Sequence, residues 1–208
     1  MKKNIDRRGL TIARRYDRFS MLYDLLENPI EKRFFSALRK KAASVARGRV
    51  LEVGIGTGKN LPYYQSNIKL TGIDFSKKML EKADIRKKKL FMDVELLVMN
   101  VEKMDFKDES FDTVVSTFVF CTVPDPIKGL SEVYRVLKQG GMAIFLEHMK
   151  SNNFMLNIPL YIMHMFIKPL IGTSMLRETQ KNIEKAGFKI KEVQNIYFDI
   201  VRLIYAYK

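Results

Sequence analysis

The sequence has little cysteine, few acidic residues and no stretch that could serve as a linker. Cys121 is the single cysteine among 208 residues, so the chain cannot form an internal disulfide, which fits a reducing compartment. No Pro/Gly/Ser-rich stretch, internal repeat or low-complexity tract divides the sequence, and we therefore expect one domain over residues 1–208. The basic start is not followed by an apolar core of the signal-peptide type, so we expect a cytoplasmic protein.

Three glycines at alternate positions follow a short β-branched run. The run ends at Val53, and Gly54, Gly56 and Gly58 come next. This pattern is typical of a strand that ends in a tight turn, where the backbone adopts positive φ and a ligand approaches closely. Asp74 ends a second apolar run, at the distance where nucleotide-binding α/β folds place a carboxylate on the ribose hydroxyls. The pattern predicts a nucleoside-cofactor site.

The glycine spacing distinguishes between cofactors. A dinucleotide fingerprint has its third glycine later, and a P-loop carries a lysine–serine pair that this loop lacks. The spacing here is G-x-G-x-G with an acidic residue inside the preceding strand. It resembles the first motif of class I S-adenosylmethionine-dependent methyltransferases, and the matching positions are Glu52, Gly54, Gly56, Gly58 and Asp74. The resemblance implies S-adenosylmethionine as cofactor and S-adenosylhomocysteine as product, with no metal ion at the site.

Further positions fall where this resemblance requires cofactor contacts. Residues 94–99 predict a third strand, and Asn100 follows where the family usually has an acidic residue beside the adenine amino group. An amide oxygen also accepts from an amine, so the departure keeps the role available. The resemblance extends the expected cofactor contacts to Asn60, Phe75, Met79, Asn100, Val101, Glu102 and Thr117.

The remaining apolar runs complete an α/β pattern, because strand patterns alternate with helical ones. The expected later elements are a buried strand over 111–120, a helix over 130–137, a turn at 138–141, a strand over 142–146 and two last strands near 189–193 and 200–205. Together they predict a Rossmann-like, doubly wound, mostly parallel seven-stranded sheet with an apolar lid inserted after strand 5. The expected regions are basic N-terminal helices (1–48), a cofactor-binding core (49–148), an acceptor-side lid (149–180) and C-terminal strands (181–208).

Basic residues are concentrated near the N-terminus. Residues 1–50 hold 14 Lys and Arg against 5 Asp and Glu, a net +9 of the chain's formal +14. Apolar side chains recur there at helical spacing, at Tyr16, Phe19, Tyr23 and Leu26. A basic amphipathic helix can lie on an anionic membrane or attract nucleic acid, and a plain solvated face is the third interpretation. The sequence lacks aromatic-interleaved basic motifs of the RNA-recognition type, which disfavours nucleic acid.

A long apolar stretch follows the fifth predicted strand. Residues 154–176 carry one charge, at Lys168, and contain two prolines that argue against a membrane-spanning helix. Four methionines would supply an adaptable wall for acyl or polyprenyl chains. In the resembled family, insertions at this place often cover the acceptor pocket, so we expect a lid. The alternative is a pair of helices packed on the edge of the core.

Four side chains are candidates for the acceptor side. Glu147 and His148 follow the fifth strand, at the edge where open α/β sheets bind ligands. Tyr16 and Tyr23 lie in a segment, 16–24, that resembles the entry helix of ubiquinone/menaquinone C-methyltransferases and of bacterial phosphatidylethanolamine N-methyltransferases. In that resemblance the tyrosines approach the cofactor and the acceptor. A core stripe of aromatics is the alternative.

These observations favour a methyltransferase that acts on an amphiphilic, membrane-derived acceptor, with a phospholipid amine preferred to a quinone ring. The protein would then bind the inner membrane face peripherally. A thiol or other small-molecule methyltransferase, a nucleic-acid methyltransferase and a non-catalytic cofactor-binding protein are the alternatives. The nucleic-acid alternative is disfavoured because residues 121–125 read Cys-Thr-Val-Pro-Asp rather than the N/D-P-P-Y/F signature of many amino-methylating enzymes.

Overall fold

The computed structural model describes residues 34–171 and 173–208. Their helices are α1 (Ser36–Ala43), α2 (Lys77–Lys89), α3 (Pro126–Val136), α4 (Phe154–Ile171) and α5 (Thr179–Lys185), with a short 3-10 turn at Leu61–Tyr63. Their strands are β1 (Arg49–Val53), β2 (Lys69–Asp74), β3 (Val94–Val98), β4 (Phe111–Thr117), β5 (Leu137–His148), β6 (Lys189–Ile196) and β7 (Val201–Tyr207). The rest of the predicted N-terminal helical region, residues 1–33, lies outside the described residues.

The seven strands form one sheet in the order β3-β2-β1-β4-β5-β7-β6. Strands β1 to β5 are parallel, and β7 runs antiparallel to both β5 and β6. The predicted mostly parallel, doubly wound sheet is therefore confirmed. The strand order reverses between β1 and β4, and ligands bind in the crevice at the carboxyl ends of strands at such a switch point.

Apolar residues pack on both faces of the sheet, as a parallel sheet covered by helices requires. On one face, Leu51 and Val114 pack with Leu130 of α3. On the other face, Val50 and residues of α1 form a second cluster. The core therefore has two halves separated by the sheet, and both hold the carboxyl ends of β1, β2 and β4 in place.

Strand β4 ends three residues earlier than the apolar run predicted. Phe118 has a left-handed backbone with φ of 59°, so the extended conformation stops at Thr117. The next two backbone N–H groups, of Val119 and Phe120, donate to the buried Glu147 carboxylate at 3.1 and 3.2 Å. After Thr117, Phe118 and Val119 are half-buried and Phe120 is buried, in a turn rather than in a strand. The hydrophobic pattern alone does not distinguish the two.

Helix α4 occupies the apolar stretch after β5. It buries Asn157 and Leu160 and leaves most of its other large apolar side chains exposed. Among the described helices, none combines the length and apolar character needed to cross a membrane. Whether α4 covers an acceptor pocket, as the predicted lid would, stays a prediction.

Candidate active site

The glycine loop after β1 combines two glycines required by packing with one that borders open space. All three have positive φ, between 56° and 76°. A Cβ at Gly54 would lie 2.5 Å from Val119, and a Cβ at Gly58 would lie 2.7 Å from Leu61. A Cβ at Gly56 would meet nothing nearer than 3.9 Å. Gly56 therefore leaves room for a ligand to approach the backbone closely.

Asp74 ties this loop to the end of β2. Its Oδ2 accepts the backbone N–H of Gly56 at 3.0 Å, and its Oδ1 accepts that of Ser76 at 2.8 Å. A carboxylate has about four acceptor positions, so these two bonds are compatible with a further bond to a ribose hydroxyl. Ser76 in turn caps α2, since its Oγ accepts the N–H of the buried Met79 at 3.2 Å. The predicted contact Phe75 lies half-buried between these two residues.

Three predicted cofactor residues form one buried network. The Asn60 side-chain amide donates to Glu52 Oε1 at 2.7 Å and to Thr117 Oγ1 at 3.0 Å, and the Tyr64 hydroxyl donates to Glu52 Oε2 at 3.0 Å. Burial raises the pKa of Glu52 to about 7, although the hydrogen bonds from Tyr64 and Asn60 oppose the shift. The network rigidly joins β1, the glycine loop and β4, so Glu52 acts at least as the anchor of the loop.

Arg39 is a site residue that the sequence analysis missed. It lies on α1, is buried, and donates from Nη1 to Thr117 Oγ1 at 2.6 Å and to Asn60 Oδ1 at 3.3 Å. Its guanidinium also lies 5.1 Å from the centre of the Phe118 ring. The positive charge lowers the pKa of both Glu52 and Glu147 against the larger effect of burial. In the sequence, Arg39 is one of many basic residues, and the apolar Leu38 and Ala42 beside it were the available signal of burial.

The residues expected beside adenine form a compact turn after β3. Asn100 Oδ1 accepts the backbone N–H of Glu102 at 2.9 Å, and Val101 is buried. Glu102 Oε1 accepts the N–H of Asp125 at 2.7 Å, directly before α3. The Asn100 oxygen has a second lone pair, which can accept from the adenine amino group, and this contact stays a prediction. Glu102 instead links the turn after β3 to the loop before α3.

Glu147 and His148 lie at the end of β5 in different surroundings. The Glu147 carboxylate is fully buried and accepts the Ser116 hydroxyl at 2.7 Å in addition to the two backbone N–H groups after β4. Burial raises the pKa of Glu147 to about 7. Both ring nitrogens of His148 are buried without a hydrogen-bond partner in the described part of the chain. Burial lowers the pKa of His148 to about 4, so the imidazole is neutral at pH 7.

The other two acceptor-side candidates, Tyr16 and Tyr23, lie outside the described residues and stay predictions. Over residues 34–171 and 173–208, no group of three or more His, Cys, Asp and Glu side chains is arranged to hold a metal ion. The described site thus consists of the glycine loop, the Asp74 carboxylate, the Glu52 network and the end of β5.

Sequence comparisons identify the family. A family model described as a methyltransferase domain matches residues 51–145. A phosphatidylethanolamine N-methyltransferase from Cereibacter sphaeroides is 40% identical over 141 residues, which cover 66% of this chain and 68% of the relative. The chain belongs to the class I S-adenosylmethionine-dependent methyltransferases. Its cofactor is S-adenosylmethionine and its product S-adenosylhomocysteine, as the sequence predicted.

Relatives within this methyltransferase family differ in the acceptor that their names give. A thiol S-methyltransferase from Homo sapiens is 30% identical over 187 residues, covering 86% of this chain and 75% of the relative. A ubiquinone/menaquinone biosynthesis C-methyltransferase from Geotalea daltonii is 35% identical over 170 residues, covering 78% and 70%. The comparisons therefore identify the reaction and leave the acceptor open.

Solved structures agree in fold. A Thermotoga maritima protein described as a SAM-dependent methyltransferase has a TM-score of 0.70 at 23% identity, covering 94% of this chain and 99% of that one. The cyclase SpnF has a TM-score of 0.67 at 18% identity, covering 83% and 80%. Since a cyclase shares the fold, the architecture alone does not define the reaction, and the assignment rests on the sequence relatives.

Proposed function

We propose that this methyltransferase acts on an amphiphilic, membrane-derived acceptor, and that the acceptor atom is the amine of a phospholipid headgroup. The observation that carries the proposal is the 40% identity to a phosphatidylethanolamine N-methyltransferase. The exposed apolar surface of α4, which directly follows the site end of β5, supports it, because an amphiphile needs an apolar surface for its chains.

Methyl transfer depends mainly on position. When bound, the cofactor supplies an electrophilic methyl group on a sulfonium, and an amine that takes this methyl loses one proton. In this proposal the methionine end lies in the open space beside Gly56, and Asp74, which also accepts the Gly56 N–H, accepts from the ribose hydroxyls. Holding an acceptor atom in line and excluding water contributes about 7 to 11 kcal/mol in well-oriented reactions. The Glu52 and Glu147 networks keep these parts rigid, which such positioning requires.

His148 is the proposed contact for the acceptor. A neutral imidazole accepts a hydrogen bond, so a ring nitrogen of His148 can orient an amine N–H. With a pKa of about 4, His148 is a weak base near pH 7, and we therefore assign it to orientation more than to proton removal. Glu147, whose carboxylate accepts from Ser116 and from two backbone N–H groups, positions the turn after β4.

A panel of acceptors tests the proposal. Purified protein with labelled S-adenosylmethionine is offered vesicles with phosphatidylethanolamine, a demethylated quinone, a small alkyl thiol and tRNA. We expect label in the phospholipid, and His148→Ala should lower that turnover by at least about tenfold while changing cofactor affinity less than about threefold. Label in the quinone or tRNA alone would contradict the proposed acceptor. Full turnover by His148→Ala would contradict the proposed role of His148.

A thiol acceptor is the second candidate. The human thiol S-methyltransferase matches over 86% of this chain, including regions beyond the cofactor-binding core. The same panel separates the two candidates, because a thiol methyltransferase would label the alkyl thiol and leave phosphatidylethanolamine unlabelled.

A further inference from the structure

Helix α4 has an apolar surface that the described protein covers only in part. Its exposed large side chains include Phe154, Met155, Met165 and Phe166, which are 73%, 68%, 73% and 66% exposed. These positions spread over more than one side of the helix, while Asn157 and Leu160 face the protein. A helix that is apolar nearly all round is typically buried. A contiguous group of exposed large apolar side chains marks an interaction surface.

The turn between β6 and β7 presents another aromatic side chain in a strained backbone. Tyr197, Phe198 and Asp199 all have positive φ, of 48°, 57° and 62°. Such a run is unfavourable for side-chain-bearing residues and persists only where the surroundings hold it. Asp199 stabilises the turn, because its Oδ2 accepts a hydrogen bond from the buried Arg202 at 3.1 Å. The consequence of this turn is that Phe198 is 80% exposed.

The helix and the turn lie on the same edge of the molecule. Asp199 Oδ2 also accepts the backbone N–H of Asn152 at 2.8 Å, two residues before α4 begins. His148, at the end of β5, is paired with Val201, which follows the turn directly. Both apolar features therefore stand at the carboxyl edge of the sheet, beside the site. We call Phe154, Met155, Met165, Phe166 and Phe198 the apolar rim.

Cations outnumber anions around the rim, although Glu178, Glu184 and Asp199 also lie nearby. Residues 150–177 contain Lys150, Lys168 and Arg177 and no acidic residue, and the whole chain has a formal net charge of +14. Apolar side chains flanked by cations match the interface of an anionic bilayer, where apolar groups enter the acyl boundary and cations stay among the headgroups. A second copy of this chain would bring the same positive charge to the contact, which disfavours self-association.

We infer that the apolar rim is the surface by which this protein docks on an anionic lipid bilayer, with Phe198 and α4 inserted beside the site. The inference rests on the proposed function in one respect, since a membrane-derived acceptor is the reason for a site that opens at the bilayer. The docking itself is a property of the rim and can be measured without any methyl transfer.

A matched pair of phenylalanines tests the docking. Phe91, which is 97% exposed and also has a left-handed backbone (φ 53°), precedes β3 and so lies at the opposite edge of the sheet. Asparagine tolerates this conformation, so Phe198→Asn and Phe91→Asn should both fold. Each full-length variant is sedimented with vesicles of phosphatidylcholine containing phosphatidylglycerol, and its folding is checked by thermal unfolding.

We expect wild-type protein and Phe91→Asn to sediment with these vesicles, and Phe198→Asn to bind about tenfold more weakly or worse. A second rim variant, Phe166→Ser, should show a comparable loss. Equal binding by all four proteins would overturn the docking surface, and so would a dimer in sedimentation equilibrium that Phe198→Asn dissociates. Turnover of the acceptor panel separates the failures: vesicle binding with thiol methylation alone contradicts the proposed acceptor, whereas phospholipid methylation in detergent without vesicle binding contradicts the docking.

Discussion

At the scale of the residue, Asp74 combines one predicted role with one observed role. The sequence assigned it to the ribose, and the structure adds that it holds the backbone of the glycine loop and of the turn before α2. Removing the whole carboxylate would disturb the loop and the ligand contact together. Asparagine keeps one side-chain oxygen, so it retains one of these two backbone hydrogen bonds, whereas alanine loses both.

Replacing Asp74 with asparagine should weaken S-adenosylmethionine binding by about 1.5 to 3 kcal/mol, because a charged acceptor for ribose hydroxyls is lost. Isothermal titration calorimetry on folded protein measures the change. Asp84→Asn, which removes a half-exposed carboxylate on α2, serves as the control and should leave the dissociation constant unchanged. An unaltered affinity of Asp74→Asn would show that Asp74 acts only on the loop.

Glu147 should make folding stability depend on pH. Burial raises its pKa to about 7, whereas in the unfolded chain the carboxyl has its usual value near 4.5. Between these values the unfolded state releases a proton that the folded state retains, so the contribution is complete below about pH 4.5 and is lost as the pH rises to about 7. For one such group the loss amounts to about 3 kcal/mol.

Glu147→Gln mimics the protonated side chain, so its stability should fall less than that of wild-type protein between pH 5 and pH 8. Thermal unfolding at intervals of one pH unit gives the comparison, with the exposed Glu81→Gln as control. Parallel stability curves for wild type and Glu147→Gln would mean that Glu147 is ionised in the folded protein over this range.

At the scale of the element, the strand and loop around β1 could be predicted because local chemistry dictates them. A β-branched run followed by alternate glycines has few conformations available, and the structure places Gly54, Gly56 and Gly58 at positive φ. The end of β4 and the burial of Arg39 could not be predicted in this way. Both depend on partners far along the chain, Glu147 for the turn after β4 and Thr117 for the arginine. The strained turn at Phe198 likewise depends on tertiary contacts of Asp199.

Two alanine substitutions within the glycine loop should mainly affect different properties, folding stability for Gly54→Ala and cofactor binding for Gly56→Ala. Gly54→Ala places a methyl group against Val119 and strains the backbone, and it should destabilise folding by about 2 to 4 kcal/mol. Gly56→Ala meets open space, so its cost in stability should be only the backbone strain of about 1 to 2 kcal/mol. Its methyl group would instead occupy the space proposed for the cofactor.

Urea unfolding and calorimetry together measure both effects. Gly56→Ala should weaken cofactor binding by about tenfold or more, equivalent to about 1.4 kcal/mol, while remaining the more stable of the two variants. If Gly56→Ala binds S-adenosylmethionine as wild-type protein does, the open space beside Gly56 is not where the cofactor lies.

At the scale of the whole molecule, charge and apolar surface are distributed unequally. Residues 1–50 carry a net charge of +9, and the apolar rim adds an uncharged surface at the carboxyl edge of the sheet. On an anionic membrane these features would act differently, since attraction between charges falls with salt and burial of apolar groups does not. Vesicle binding should therefore have a salt-sensitive part and a salt-resistant part.

The basic segment, residues 1–50, would account for the salt-sensitive part of vesicle binding. Arg14, Arg15 and Arg18 lie outside the described residues, and the sequence predicts them on a basic amphipathic helix. Each cation near an anionic surface contributes about 1 kcal/mol. Changing all three to glutamate should therefore weaken sedimentation with phosphatidylglycerol vesicles at low salt to the level that wild-type protein keeps at high salt, and should leave cofactor affinity intact. The matched control changes Lys88, Lys89 and Lys189 to glutamate. These lysines are exposed at the edge of the sheet opposite the apolar rim. Equal losses of vesicle binding in the two triple variants would assign the attraction to the total charge of the protein. If wild-type protein does not sediment with anionic vesicles at low salt, membrane binding by the basic segment is contradicted.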